Sequence, residues 1–144
     1  MLARWRVLQK VPAEIGEEVP NTEQVRQLLD APAESYRSVY AAVAGELPLA
    51  DVATKKAGPV FLMGEFQVAV PGQVELLVQA PEKTEVWLDA IPSSVAAKSL
   101  ADVSAGRHKI FLRVVAGPES TGALKVELRR PAGSNAQFDP VGGP

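Results

Sequence analysis

The feature that most constrains this chain is an apolar row with a period of two. From Val60 to Val70 the even positions read Val60, Leu62, Gly64, Phe66, Val68 and Val70, while Glu65 and Gln67 stand on the odd row. Successive side chains of a strand point to opposite faces, so this row marks a strand with one face in a core and the other toward water. The pattern returns further on. Val74, Leu76, Val78 and Ala80 oppose Gln73, Glu75 and Gln79, and Leu124, Val126 and Leu128 oppose Lys125, Glu127 and Arg129. His108, Ile110, Leu112 and Val114 alternate with Lys109 and Arg113, although Phe111 and Val115 make that second face partly apolar. Strands separated by turns, with no helical period between them, specify a sandwich or barrel. The expected fold class is mostly β, an antiparallel β-sandwich, jelly-roll-like, with one short N-terminal helix.

The connections are read from turn chemistry. Pro71-Gly72 suits the centre of a type II turn, because Pro presets φ and Gly accepts φ > 0, so the two runs around it are expected to form a hairpin. Glu85-Val86-Trp87-Leu88-Asp89 reads as a shorter strand, residues 99–103 as another, Ala105-Gly106 as a tight turn, and residues 117–122 as a loop. In the first half, residues 5–8 fit a short strand and the Pro-bounded acidic residues 12–20 a loop. Asn21 is placed as an N-cap with Gln24 three residues on, the spacing of a capping box. Val25, Leu28 and Leu29 then share one helical face, a lid for the sandwich, and Pro32 closes the helix. Residues 36–43 fit either period; their β-branched and aromatic content favours a strand. Gly45-Glu46-Leu47-Pro48-Leu49 interrupts any regular element, and Pro131-Ala132-Gly133-Ser134-Asn135-Ala136 has linker composition. The expected organisation is a lead-in with a short helix over 1–34, a β-sandwich over 35–130, and a linker-like tail over 131–144.

Composition removes several function classes. The 144 residues suit one domain, and the 47% apolar share supports a core. A net charge of −2 and a pI near 5.5 argue against nucleic acid, whose phosphates call for a basic face and a pI above roughly 9. The adjacent cationic pairs, Lys55-Lys56 and Arg129-Arg130, extend into no patch. No apolar run reaches the roughly 18 residues of a membrane span, and the N-terminal residues have no signal-peptide apolar region. With no cysteine, disulfides, thiolate metal sites, thiol nucleophiles and covalently attached haem are excluded within this chain. GxSxG, GxxxxGK[ST], GxGxxG and HExxH are all missing from the sequence.

The residues able to carry chemistry are therefore few. His108 is the only imidazole. General acid–base work and metal binding favour histidine, but a working histidine has a partner that orients it, and the sequence shows none. Its place at the start of an alternating strand suits a sandwich-end histidine hydrogen-bonded to a turn backbone. Trp87 and Asp89 share one strand face, as an aromatic platform and carboxylate for a sugar would; their ordinary uses are a core ring and a turn cap. With His108 they form the candidate ligand-binding set. Glu85, Asp89 and Asp102 are the candidate calcium ligands, through oxygen, although their spacing is not that of an EF-hand. No other cofactor is expected.

Three short stretches carry a resemblance: Val43-Ala44-Gly45-Glu46-Leu47-Pro48-Leu49, Val86-Trp87-Leu88-Asp89, and Ala105-Gly106-Arg107-His108-Lys109-Ile110. Residues 36–128 resemble a protective-antigen-type or galactose-binding-like β-sandwich module of large exported proteins of planctomycetes and related bacteria. Ala90 stands where such modules carry Gly after the Asp. The resemblance implies export to the periplasm or beyond, with a c-type cytochrome segment often nearby, toward which Gly142-Gly143 resembles a lead-in. The expected function is that of a non-catalytic accessory module, docking to carbohydrate or to neighbouring domains of a larger protein. The rivals are an enzyme or redox-associated domain built on carboxylates and His108, which requires a pocket where His108 meets two acids, and a self-associating structural unit using a sheet edge.

Overall fold

The computed structural model describes residues 4–9, 19–41, 46–52, 58–80, 84–93, 99–117 and 122–141. Residues 12–18, 43–45, 118–121 and 142–144, on which some of the expected loops and the tail end fall, lie outside them. The order of elements is β1 (Arg4–Leu8), α1 (Thr22–Leu29), a 3₁₀ turn (Ala33–Ser35), β2 (Tyr36–Tyr40), β3 (Leu47–Pro48), α2 (Leu49–Val52), β4 (Gly58–Val70), β5 (Gly72–Gln79), β6 (Glu85–Leu88), β7 (Ile91–Ser93), β8 (Ser99–Val103), β9 (Gly106–Ala116), β10 (Ala123–Arg129) and β11 (Gln137–Pro140). All described pairings are antiparallel.

Two sheets stack face to face. One has seven strands in the order β2-β1-β4-β9-β6-β7, with β11 also joined to β4; the other runs β3-β10-β5-β8. The alternation dictates what lies between them. Val60, Leu62, Phe66 and Val68 of β4 and Ile110, Leu112 and Val114 of β9 meet Val74, Leu76 and Val78 of β5 and Leu124 and Val126 of β10 in one cluster. A full side chain of this size gains about 1.5–3 kcal/mol on leaving water, so this row contributes heavily to stability. The layering is that of an antiparallel β-sandwich.

The long pair β4–β9 is buried on both faces, which explains the partly apolar second row of β9. Phe61, Met63, Phe111 and Trp87 point away from the sandwich and form a second cluster with Leu8, Val25, Leu28, Leu29 and Tyr36. The helix α1 lies over that outer face as a third layer. Its stripe Val25, Leu28 and Leu29 is buried as the spacing predicts. The Tyr36 hydroxyl donates to Leu28 O at 2.5 Å, satisfying a carbonyl of the last turn. Burial of that phenol, eased a little by Arg6, pushes its pKa up to about 12. The capping box also forms: Gln24 N donates to Asn21 Oδ1 and Asn21 N to Gln24 Oε1, both at 2.9 Å. Replacing Asn21 by Ala leaves one helix N–H unsatisfied and is expected to cost about 1 kcal/mol, read as a lower urea midpoint with an unchanged slope.

Two expectations are corrected. Residues 60–70 and 73–80 are strands, but they do not form a hairpin. β4 belongs to the seven-stranded sheet and β5 to the four-stranded one, so the chain changes sheets at Pro71. Gly72 is not used for a positive φ. A Cβ there would stand 2.9 Å from Ala136 N and 3.1 Å from Ala136 Cβ, so glycine admits the C-terminal segment against the start of β5. The second correction follows from it. Residues 131–136 are held to β5 by Ser134 Oγ donating to Gln73 O at 2.6 Å, and β11 pairs with β4. Within the expected linker-like tail, residues 137–140 thus form β11, a strand of the main sheet. It occupies the same edge of β4 as β1, which pairs at Leu62 and Met63 while β11 pairs from Phe66 to Val70.

Candidate functional site

At one end of β9 two turns converge on His108. Gly106 opens the strand at φ +123°, a conformation that costs a non-glycine residue dearly, and this places His108 opposite Phe66 in the β4–β9 register. The two rings stack, with centroids 5.3 Å apart and planes 21° from parallel. From the other side comes the β6–β7 turn. Leu88 pairs with Ile91, leaving Asp89 and Ala90 as a two-residue loop with φ +50° and +72°, the signature of a type I′ hairpin. Asp tolerates this region. Ala does so at a cost of about 1–2 kcal/mol, and its methyl, 1% exposed, is buried in the cluster beneath α1.

The Asp89 carboxylate is tied down on both oxygens. Oδ1 accepts the Lys109 amide at 2.9 Å, and Oδ2 lies 2.5 Å from His108 Nδ1. The other ring nitrogen, Nε2, lies 2.8 Å from Ser104 O. A carbonyl only accepts, and an ionised carboxylate only accepts, so the imidazole satisfies both by carrying a proton on each nitrogen. Burial opposes that charge, but the hydrogen bond to Asp89, the hydrogen bond to Ser104 and the attraction of the carboxylate outweigh it, and the His108 pKa is raised above its ordinary 6.5. His108 is an ionic clamp that joins the β8–β9 turn to the β6–β7 turn, with a side chain only 11% exposed.

The clamp forms one wall of an open cleft of about 280 Å³, lined by Arg26, Leu29 and Asp30 from the end of α1, Asp89 and Ala90 from the turn, and Arg107 and Lys109 from β9. Lys109 Nζ donates to Leu29 O at 2.8 Å, fastening the helix end to the sheet. Arg107 pairs at 3.3 Å with Glu65, a buried carboxylate that Arg6 flanks at 3.4 Å on the other side. Arg26 pairs with Glu23 at 3.4 Å, both side chains largely exposed.

The sequence-derived candidates are distributed as follows. Asp89 and His108 are brought together. Trp87 is not beside them as an open platform: it is 3% exposed and packs on Phe111 at 5.8 Å beneath α1, because β6 is covered on both faces. Glu85, Asp89 and Asp102 do not converge. Glu85 and Asp89 flank opposite ends of β6, and Asp102 pairs with Gln73 in the other sheet. Among the described residues no three acidic, histidine or cysteine side chains gather as a metal set. The cleft residues Arg26, Asp30, Arg107 and Lys109 were not singled out by sequence. Arg107 and Lys109 do share a strand face, but Arg26 and Asp30 reach them only through the docking of α1. No helix among the described residues is long and apolar enough to cross a membrane. Comparison with family models, with curated proteins and with solved structures finds no match to the chain.

Proposed function

We propose that this chain is a non-catalytic accessory β-sandwich that docks carbohydrate within a larger exported protein, through the cleft beside the Asp89–His108 clamp. The observation that carries the reading is the state of the imidazole. The chain has one histidine and no cysteine, and both ring nitrogens are committed to acceptors. A general base needs a free lone pair aimed at a reacting proton, and this ring has none. Among the described residues it meets one acid rather than the two that the enzyme reading requires. What remains is a rigid turn pair bearing a small open recess with charged and polar side chains around its rim, a form suited to holding one sugar unit.

Affinity electrophoresis through gels containing plant, bacterial and animal polysaccharides tests this. Retardation by at least one polysaccharide, relieved in Asp30→Asn or Arg107→Gln, is the expected result. Migration unaffected by every polysaccharide removes the carbohydrate reading and leaves neighbouring domains as the docking partner.

A further inference from the structure

The rim of the cleft is not evenly charged. Three cations, Arg26, Arg107 and Lys109, face two carboxylates, Asp30 and Asp89. Asp89 is already occupied on both oxygens by the Lys109 amide and the His108 ring. Its charge is spent on the clamp. Asp30, at the C-cap of α1, is exposed. Lys109 uses one of its three N–H groups on Leu29 O. Arg107 and Arg26 keep guanidinium side chains 56% and 61% exposed beyond the one ion pair each makes among the described residues. Among the described residues, the recess thus presents unspent cationic donors from two elements and one unspent carboxylate acceptor.

We propose that the ligand is a sugar acid, a ring bearing one carboxylate together with hydroxyl groups. The carboxylate sits against Arg107 and Lys109, where charge-assisted hydrogen bonds are about twice as strong as neutral ones. A ring hydroxyl donates to Asp30. A neutral sugar offers the cations only uncharged hydroxyl acceptors, and a plain anion leaves Asp30 without a donor. The cleft volume, near the lower end of the range for ligand sites, admits one such ring rather than an extended chain. This inference rests on the docking reading and names its ligand class.

The test is a two-dimensional ¹H–¹⁵N NMR titration of the full chain with glucuronate and galacturonate, beside glucose, acetate and sulfate, at low and then raised salt. The expected result is saturable shifts of the Asp30, Ala90, Arg107 and Lys109 amides with at least one uronate. No saturation is expected with glucose, and weaker binding is expected from acetate. Arg107→Gln is expected to weaken uronate binding about tenfold or more, and Asp30→Asn to bring it toward the acetate level. If Arg107→Gln alters the fold, Lys109→Gln takes its place, with the same expected loss of uronate binding. Binding of sulfate and acetate as tight as uronate overturns the sugar-acid assignment. So does saturation by glucose alone, which leaves the docking reading standing. No saturation by any uronate, with polysaccharide retardation intact, overturns the inference by itself; failure of both experiments overturns both.

Discussion

Replacing Phe111 by Ala is expected to lower the stability of the fold by about 3–5 kcal/mol, a large fraction of the roughly 5–15 kcal/mol that holds a domain together. Phe111 is fully buried on the outer face of β9. Its ring stacks on Phe61 at 5.5 Å and packs on Trp87 at 5.8 Å, and the three rings form the floor on which Val25, Leu28 and Leu29 of α1 rest. Truncation leaves a cavity that the two long paired strands cannot collapse to fill. Because the floor is lost, α1 is expected to exchange its amides faster than the β4–β9 ladder does. Val115→Ala, on the same face of the same strand but 45% exposed, is the matched control and is expected to change stability by less than about 0.5 kcal/mol. Chemical denaturation with hydrogen exchange checks both. Equal effects of the two substitutions would deny that the outer face of this sheet is a second core.

Asp89→Asn changes the charge of the clamp without changing its shape, since Asn accepts a positive φ as readily as Asp. With the carboxylate present, the folded pKa of His108 lies above 6.5. Its contribution to stability is then whole below pH 6.5 and is lost as pH rises through the folded value. Removing the carboxylate leaves burial as the dominant influence on the ring, opposed only by the Ser104 carbonyl, so the folded pKa falls below 6.5. The linkage changes sign: the variant loses stability as pH falls through 6.5, where the wild type keeps it. The expected difference below pH 6.5 is about 1–2 kcal/mol, moderated by solvent at the 40% exposed Asp89 side chain. Urea midpoints of both proteins across that range check the prediction. Parallel pH profiles would show that the pair contributes no charge-dependent stability.

What the sequence disclosed followed from period and capping chemistry. The rows of β4, β5, β9 and β10, the α1 stripe and the Asn21–Gln24 box are local patterns, and each is found in place. The strand reading of residues 36–43 holds over Tyr36–Tyr40; the strand ends before Ala41, and residues 42–43 lie outside the described residues. What was not legible depended on partners distant along the chain. Pro71-Gly72 carries turn chemistry, yet Gly72 is small because Ala136 rests against it. Residues 137–140 look like a tail until β4 offers them an edge. The Asp89-Ala90 turn lacks the Asn-Gly signal of its type, and the cost of Ala90 is met by burial under a helix some sixty residues earlier. The candidate site shows the same division. Asp89 and His108 stood out singly by residue type, but their pairing is set by the β6–β9 register and two turns. Trp87 was drawn into a ligand role because its strand gave no sign that α1 would cover it.

The single histidine permits a direct test of whether this end of the sandwich is a clamp or a catalytic centre. Nitrogen-detected NMR of the imidazole, followed through a pH titration, reads the protonation of each ring nitrogen without ambiguity of assignment. Both nitrogens protonated at pH 6.5, with a midpoint above that value, is the predicted result. A ring carrying one proton at pH 6.5, with its other nitrogen free and its midpoint at or below that value, would contradict the clamp and return His108 to the candidates for catalysis.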